Sequence, residues 1–309
     1  MDQSPDTDLP ATGLSTPGDV IDAHLHVVTV GLLEEYLASM DDPPPGFREA
    51  LARRQWGRKA DVLPKLDPAQ AAEWYCGQLE EAGVAAGVVM SLAPDNQWLR
   101  DFLASSDGRL VGCARIDPRR DDAVELLNRE YEAGFRGVKL LPVNIAYSLA
   151  DPACAPFFDR LDELGLPATI HYGVSVDAGS DLRFADPIDL SPVARDHPNV
   201  NFVIAHFGAG WFNGVLRLAY QCKNVLVDTS GTNNWSESTV PALSLPEVFE
   251  RALTALGPER VLFGTDSNTA APYRRWLAYQ QRRTLEEMGV SEAHRGLILR
   301  GNAARLYGL

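Results

Sequence analysis

Four of the six histidines and one late aspartate carry the chemistry this sequence offers: His24, His26, His171, His206 and Asp266. Neutral imidazole nitrogens and a carboxylate oxygen are ligands that zinc takes, and that manganese or iron(II) also accept. His24 and His26 are separated by one residue, so in a strand of period two they point to the same side and could grip one ion. With His171 and Asp266 they would complete a four-ligand set. A divalent ion so held can bring the pKa of its water from 15.7 down to roughly 7 in the best zinc sites. Such a centre needs a group to move the proton. His206 is the candidate for that role, and Asp266 could act as both ligand and proton acceptor.

Residues so far apart meet only if strand ends converge. Apolar, β-branched runs predict eight strands, at 20–27, 86–91, 110–116, 137–141, 168–172, 200–206, 225–229 and 260–266. Helical stretches lie between them, among them 67–82, 121–133, 151–164 and 244–256. These are followed by Gly83, Gly134, Gly165 and Gly257, residues able to take the left-handed conformation that closes a helix. Strand–helix alternation predicts a parallel sheet covered by helices, and eight nearly apolar strands favour a closed (β/α)8 TIM barrel as a single domain. The C-terminal strand ends of such a barrel share one face, and the five residues above fall at those ends. Residues 29–65 are too many for an ordinary loop and predict a helical insertion after strand 1, over the mouth. Residues 174–189 and 231–241 are candidate lids.

Residues 1–17, rich in Asp, Ser, Thr and Pro, read as a flexible N-terminal tail, and 18–309 as the catalytic barrel. The formal net charge of −14 argues against a nucleic acid or an anionic membrane as partner and leaves a small-molecule substrate. No run approaches the ~20 apolar residues of a membrane span. Cys76, Cys113, Cys154 and Cys222 are widely spaced, without a CxxC pair, and read as reduced thiols of a cytoplasmic protein.

Six segments, taken in order, resemble the amidohydrolase superfamily, and most closely its amidohydrolase-2 branch. They are Asp22-Ala23-His24-Leu25-His26, Gly134-Phe135-Arg136-Gly137-Val138-Lys139-Leu140, Ile170-His171, Ala205-His206-Phe207-Gly208, Val227-Asp228-Thr229-Ser230-Gly231 and Leu262-Phe263-Gly264-Thr265-Asp266. The closing Gly301-Asn302-Ala303-Ala304-Arg305-Leu306 resembles the branch's final helix. The resemblance implies a barrel, a divalent metal, and hydrolysis or non-oxidative decarboxylation of small carbonyl or carboxylate compounds. It also implies a homodimer. Lys139 stands where binuclear members carry a carboxylated lysine between two metals. Three readings stay open for it: that bridge, a substrate-binding lysine, or a structural ion pair. Leu140-Leu141-Pro142 and Ser267-Asn268 depart from the family pattern on the substrate side.

Arg115, Arg183, Tyr172, Trp211, Asn234 and Trp235 are candidate substrate contacts by position, against the plainer reading of packing and surface ion pairs. His197 and His294 read as structural. Asp22 reads either as support for a ligand or as a barrel-holding residue. The leading expectation is a hydrolase of a small ester, lactone or amide with one divalent ion, Zn2+ before Mn2+ or Fe2+. The alternative is a decarboxylase (lyase) of a small aromatic or enoic acid. A catalytically silent barrel and a metal-free lactonase are the remaining readings.

Overall fold

Strands that are apolar on both faces pair in parallel beneath helices. The computed structural model describes residues 18–38, 63–93, 95–175, 180–231 and 233–309. Its strands are β1 (Val20–His26), β2 (Val84–Met90), β3 (Leu110–Arg115), β4 (Gly137–Leu140), β5 (Ala168–Ile170), β6 (Phe202–Ile204), β7 (Val225–Asp228), β8 (Val261–Leu262) and β9 (Ser267–Asn268). Its α-helices are α1 (Val30–Ala38), α2 (Pro68–Glu81), α3 (Gln97–Ala104), α4 (Ala123–Glu132), α5 (Pro142–Ile145), α6 (Ala155–Leu164), α7 (Ser191–Asp196), α8 (Phe212–Gln221), α9 (Leu245–Leu256), α10 (Arg275–Glu287), α11 (Glu292–Gly296) and α12 (Asn302–Tyr307). The strands run in the order β8-β7-β6-β5-β4-β3-β2-β1-β9, all parallel.

The predicted eighth strand is in two pieces. β8 pairs with β7, and β9 pairs with β1. Between them the Ala23 N–H donates to the Phe263 carbonyl at 2.8 Å and the Asp266 N–H to the His24 carbonyl at 2.9 Å. The ring therefore closes across one interrupted strand, and the fold is the expected (β/α)8 barrel. Asp266 causes the interruption: its φ of 58° is left-handed and cannot continue a strand. The other predicted strands also end one or two residues early, and three of these ends matter for the site. β1 ends at His26 rather than Val27, β5 ends at Ile170 and β6 at Ile204, so His171 and His206 lie just beyond their strands.

Local chemistry sets the helices. Asp67 caps α2, accepting from the Gln70 N–H at 2.9 Å, and Gln70 accepts from the Asp67 N–H in return. This reciprocal box satisfies two otherwise orphaned donors. Of the insertion after β1, α1 is present as a helix; residues 39–62 lie outside the described residues, as do 1–17. The candidate lids form short 3-10 turns at Leu182–Phe184, Pro187–Leu190 and Asn234–Ser238, with 176–179 and 232 outside the described residues. Ile21, Ala23, Val88, Met90, Val203, Leu226 and Leu262 form one apolar cluster with Ala303 and Tyr307 of α12. The Tyr307 hydroxyl meets Thr169 of β5 at 3.0 Å, fastening that helix to the barrel wall. Among the described residues no helix is long and apolar enough to cross a membrane.

Candidate active site

β1 carries two imidazoles whose tautomers are fixed by what their inner nitrogens face. His24 Nδ1 lies 2.7 Å from Asp228 Oδ2, and His26 Nδ1 lies 3.1 Å from the Met90 carbonyl. Both partners can only accept, so each Nδ1 carries the proton and each Nε2 keeps its lone pair. Those two Nε2 atoms are 3.3 Å apart. Asp266 Oδ1 sits 3.2 Å from the Nε2 of His26 and 4.0 Å from that of His24. Two lone pairs and a carboxylate oxygen thus face one another with no proton to share. Such a triangle repels itself unless a cation lies inside it. The point equidistant from the three atoms is about 2.1 Å from each, which is the bond length zinc takes to imidazole and carboxylate. The donor set therefore fits a divalent ion.

The charge states agree. Burial, with the nearby Lys139 charge, lowers the His24 pKa to about 3, so the ring is neutral at pH 7. Burial works against ionisation of Asp266, but the close approach of His26, followed by His206 and His24, holds its carboxyl well below the usual range. Lys139 is buried, and its Nζ lies 3.4 Å from His24 Nε2. Burial pulls its pKa down, against the pull of Asp228 and Asp266.

Asp228, at the end of β7, organises the centre, and the sequence reading did not single it out as a site residue. Its Oδ2 takes the His24 ring proton, and its Oδ1 accepts from the backbone N–H groups of His206 and Ser230, both at 3.0 Å. Ser230 Oγ–H also donates to Oδ1 in a short hydrogen bond, and Ser230 Oγ lies 2.7 Å from His206 Nδ1. A relay results: His206 Nδ1–H to Ser230 to Asp228, which leaves His206 Nε2 free to accept a proton. Burial opposes ionisation of Asp228, yet the contact with His24, followed by His206 and Ser230, holds the carboxyl well below its ordinary value. In sequence Asp228 stood within the Val227–Gly231 segment that resembles the family, but nothing there announced its partners. Asp228→Asn is expected to weaken metal affinity roughly 10- to 100-fold. An amide can offer N–H to His24 Nδ1, which would move the ring proton to Nε2 and remove a lone pair from the triangle. Titration of the metal-free variant with zinc against a chelator checks this; unchanged affinity would show that Asp228 does not set the tautomer.

His206 reaches its place through unusual backbone. His206, Phe207 and Ala209 have φ of 56°, 52° and 37°, so the chain turns sharply after β6. The turn after β5 is laced onto it: the Val174 N–H donates to the Ala209 carbonyl at 2.8 Å. Gly173 has φ of 87°, and a Cβ there would come within 2.2 Å of the Gly208 carbonyl oxygen. Gly173→Ala is therefore expected to cost about 2 kcal/mol or more, from left-handed strain and overpacking together. The urea unfolding midpoint reports it, and an unchanged midpoint would refute the packing argument.

His171 is placed differently from the expected four-ligand set. Its Nε2 faces the Val174 carbonyl at 3.2 Å and its ring centroid is 5.2 Å from that of His206. Among the described residues it joins no trio of donors mutually within 4.8 Å, whereas His24, His26 and Asp266 do. Burial, then His206, lowers its pKa well below the usual value, so it too is neutral. His24, His206 and Asp228 form a second such trio; its atoms are already joined by the hydrogen bonds above.

The substrate candidates scatter. Arg183 is 82% exposed and paired with Asp181, away from the triangle. Arg115 donates to the Leu92 carbonyl. Tyr172 is fully enclosed, with Asp189 beside it. Trp211 is half-buried at the start of α8, and Trp235 packs on Phe212 with centroids 5.7 Å apart. Asn234 is exposed on the turn before Trp235. His197 is held between the Val193 carbonyl and Asp159, a structural setting. Asp22 accepts from Thr265 and from the Tyr273 hydroxyl, as well as from the His24 N–H, so it clasps β1 to the interrupted strand and supports a site histidine at once. Burial pushes its carboxyl up to about 7.

A parallel barrel with imidazoles and a carboxylate converging at its strand ends defines a class of barrel with a candidate metal centre on one face. The amidohydrolase family model matches residues 21–309, and the chain belongs to that family, which is metal-dependent and includes hydrolases and decarboxylases. A Pseudomonas putida protein named as a 2-pyrone-4,6-dicarboxylic acid hydrolase superposes with a TM-score of 0.65 at 22% identity, covering 94% of this chain and 97% of that one. The 5-carboxyvanillate decarboxylase of Novosphingobium aromaticivorans, complexed with manganese and 4-hydroxy-3-methoxy-5-nitrobenzoic acid, gives 0.68 at 15% identity, covering 98% and 100%. At these identities the likeness is one of fold. A dihydroorotase of Yersinia enterocolitica is 35% identical over 94 residues, 27% of this chain and 26% of that protein, so the chain spans about a quarter of that relative's length.

Proposed function

We propose that this protein is a metal-dependent hydrolase that cleaves the carbonyl C–O or C–N bond of a small ester, lactone or amide. The observation that carries the reading is the triangle of proton-free donors, His24 Nε2, His26 Nε2 and Asp266 Oδ1, beside a histidine, His206, whose Nε2 has no hydrogen-bond partner among the described residues. His24, His26 and Asp266 would hold the ion, and His171 would join them through Nδ1, the nitrogen turned from Val174. When bound, a divalent ion there would polarise the carbonyl and acidify water. His206 Nε2 accepts the proton as water adds to the carbonyl carbon. Ser230 and Asp228 fix the ring and stabilise the imidazolium that forms. His206 then returns the proton to the departing oxygen or nitrogen as the C–O or C–N bond breaks. Asp266 is a second acceptor at the same point. A second ion bridged by a carboxylated Lys139 is the alternative arrangement, favoured by the 3.4 Å approach of Nζ to His24.

The test is proton release from a panel of esters, lactones and N-acyl amides, using protein loaded with zinc, manganese or iron. Turnover lost in chelator and restored by metal is expected. Turnover undiminished in chelator would favour a metal-free lactonase. Carbon dioxide released from aromatic or enoic acids, with no ester turnover, would move the assignment to the decarboxylase alternative.

A further inference from the structure

Arg274 stands on the far side of Asp266 from the donor triangle. Its Nη1 is 3.9 Å from Asp266 Oδ2, while Oδ1 of the same carboxylate belongs to the triangle. The residue is anchored by its backbone: the Arg274 N–H donates to Ser267 Oγ at 3.0 Å, and Ser267 is tied to Thr265 and so to Asp22. The guanidinium itself is poorly satisfied. Among the described residues its one hydrogen bond is a 3.5 Å contact from Nη1 to the Thr265 carbonyl, although the side chain is only 33% exposed.

A guanidinium has five N–H donors in a flat fork that matches a carboxylate. Among the described residues most of the fork faces no acceptor within hydrogen-bond reach, beside Asp266. If the triangle held a divalent cation, Asp266 would set one negative charge against that cation on one oxygen and Arg274 on the other. The excess at that point would be positive, in a chain whose net charge is −14. A local positive focus inside a negative protein selects anions at the site.

We propose that Arg274 is the substrate-anion site: the natural substrate carries a carboxylate, and Arg274 grips it while the reacting carbonyl lies at the triangle. This deepens the hydrolase reading and rests on it for the position of the reacting group. Arg115 and Arg183, the sequence-based candidates for that grip, are engaged elsewhere.

The experiment measures binding by calorimetry on the metal-loaded protein, with pairs of small acids and their neutral amides (benzoate and benzamide, glutarate and glutaramide, among others). Wild-type protein is expected to prefer the acid in at least one pair. Arg274→Met should weaken that acid roughly 10- to 100-fold, as losing hydrogen bonds to a charged group does. Arg274→Lys should retain part of the affinity, and metal content and melting temperature should match wild type in both variants. No acid preference in any pair, or acid affinity unchanged in Arg274→Met, overturns the proposal. A folded variant that loses metal along with the acid also overturns it, because Arg274 would then act by positioning Asp266. Loss of acid affinity in a protein that turns over no ester, lactone or amide would keep the anion site and remove the hydrolase reading. Turnover of neutral esters with no acid preference would do the reverse.

Discussion

His26→Ala is expected to leave the protein folded and unable to retain its ion through dialysis. His26 contributes one of three converging donor atoms, and its ring is anchored at Nδ1 by the Met90 carbonyl while its backbone pairing with Asn268 does not depend on the side chain, so its removal opens a gap without unthreading a strand. Apparent binding energies of about 10–16 kcal/mol for zinc centres, shared over three or four donors, put each donor near 3 kcal/mol, a loss of roughly 100-fold or more in affinity. Metal analysis by mass spectrometry after dialysis is the direct reading, with exposed His294→Ala as the control. Full retention of the ion by His26→Ala would mean that the triangle is not where metal binds.

His206→Ala is expected to keep the ion and lose turnover by roughly 10²- to 10⁴-fold, the contribution of a positioned general base. The separation follows from geometry. His206 Nδ1 is committed to Ser230, and among the described residues His206 is not grouped with His26 and Asp266. Added imidazole should restore part of the rate, which a purely structural defect would not allow. His171→Ala completes the set. Metal loss equal to that of His26→Ala would place His171 among the ligands. Equal metal loss in His171→Ala and His206→Ala would instead support two ions and a modified Lys139.

The order and type of the candidate donors were legible because imidazoles and a carboxylate stand in or at the ends of apolar runs. A barrel gathers such ends on one face. Asp228 was not legible as a site residue. A carboxylate closing a strand is common, and its value comes from partners at positions 24, 206 and 230, which no spacing announces. Arg274 was hidden for a related reason: several arginines follow strands, and only the fold shows which one reaches Asp266. The split eighth strand was missed because a left-handed aspartate has no clear sequence signature.

By itself the sequence determined the eightfold strand–helix repeat and the inventory of donors, since hydrophobic periodicity and residue chemistry are local properties. Tertiary structure decided which ring nitrogen of His24 and His26 faces the triangle, that His24, His26 and Asp266 lie close enough to one another to share an ion, and which cation flanks them. Those outcomes depend on distances of a few ångströms between segments two hundred residues apart, and the left-handed turns at His206 and Asp266 set them.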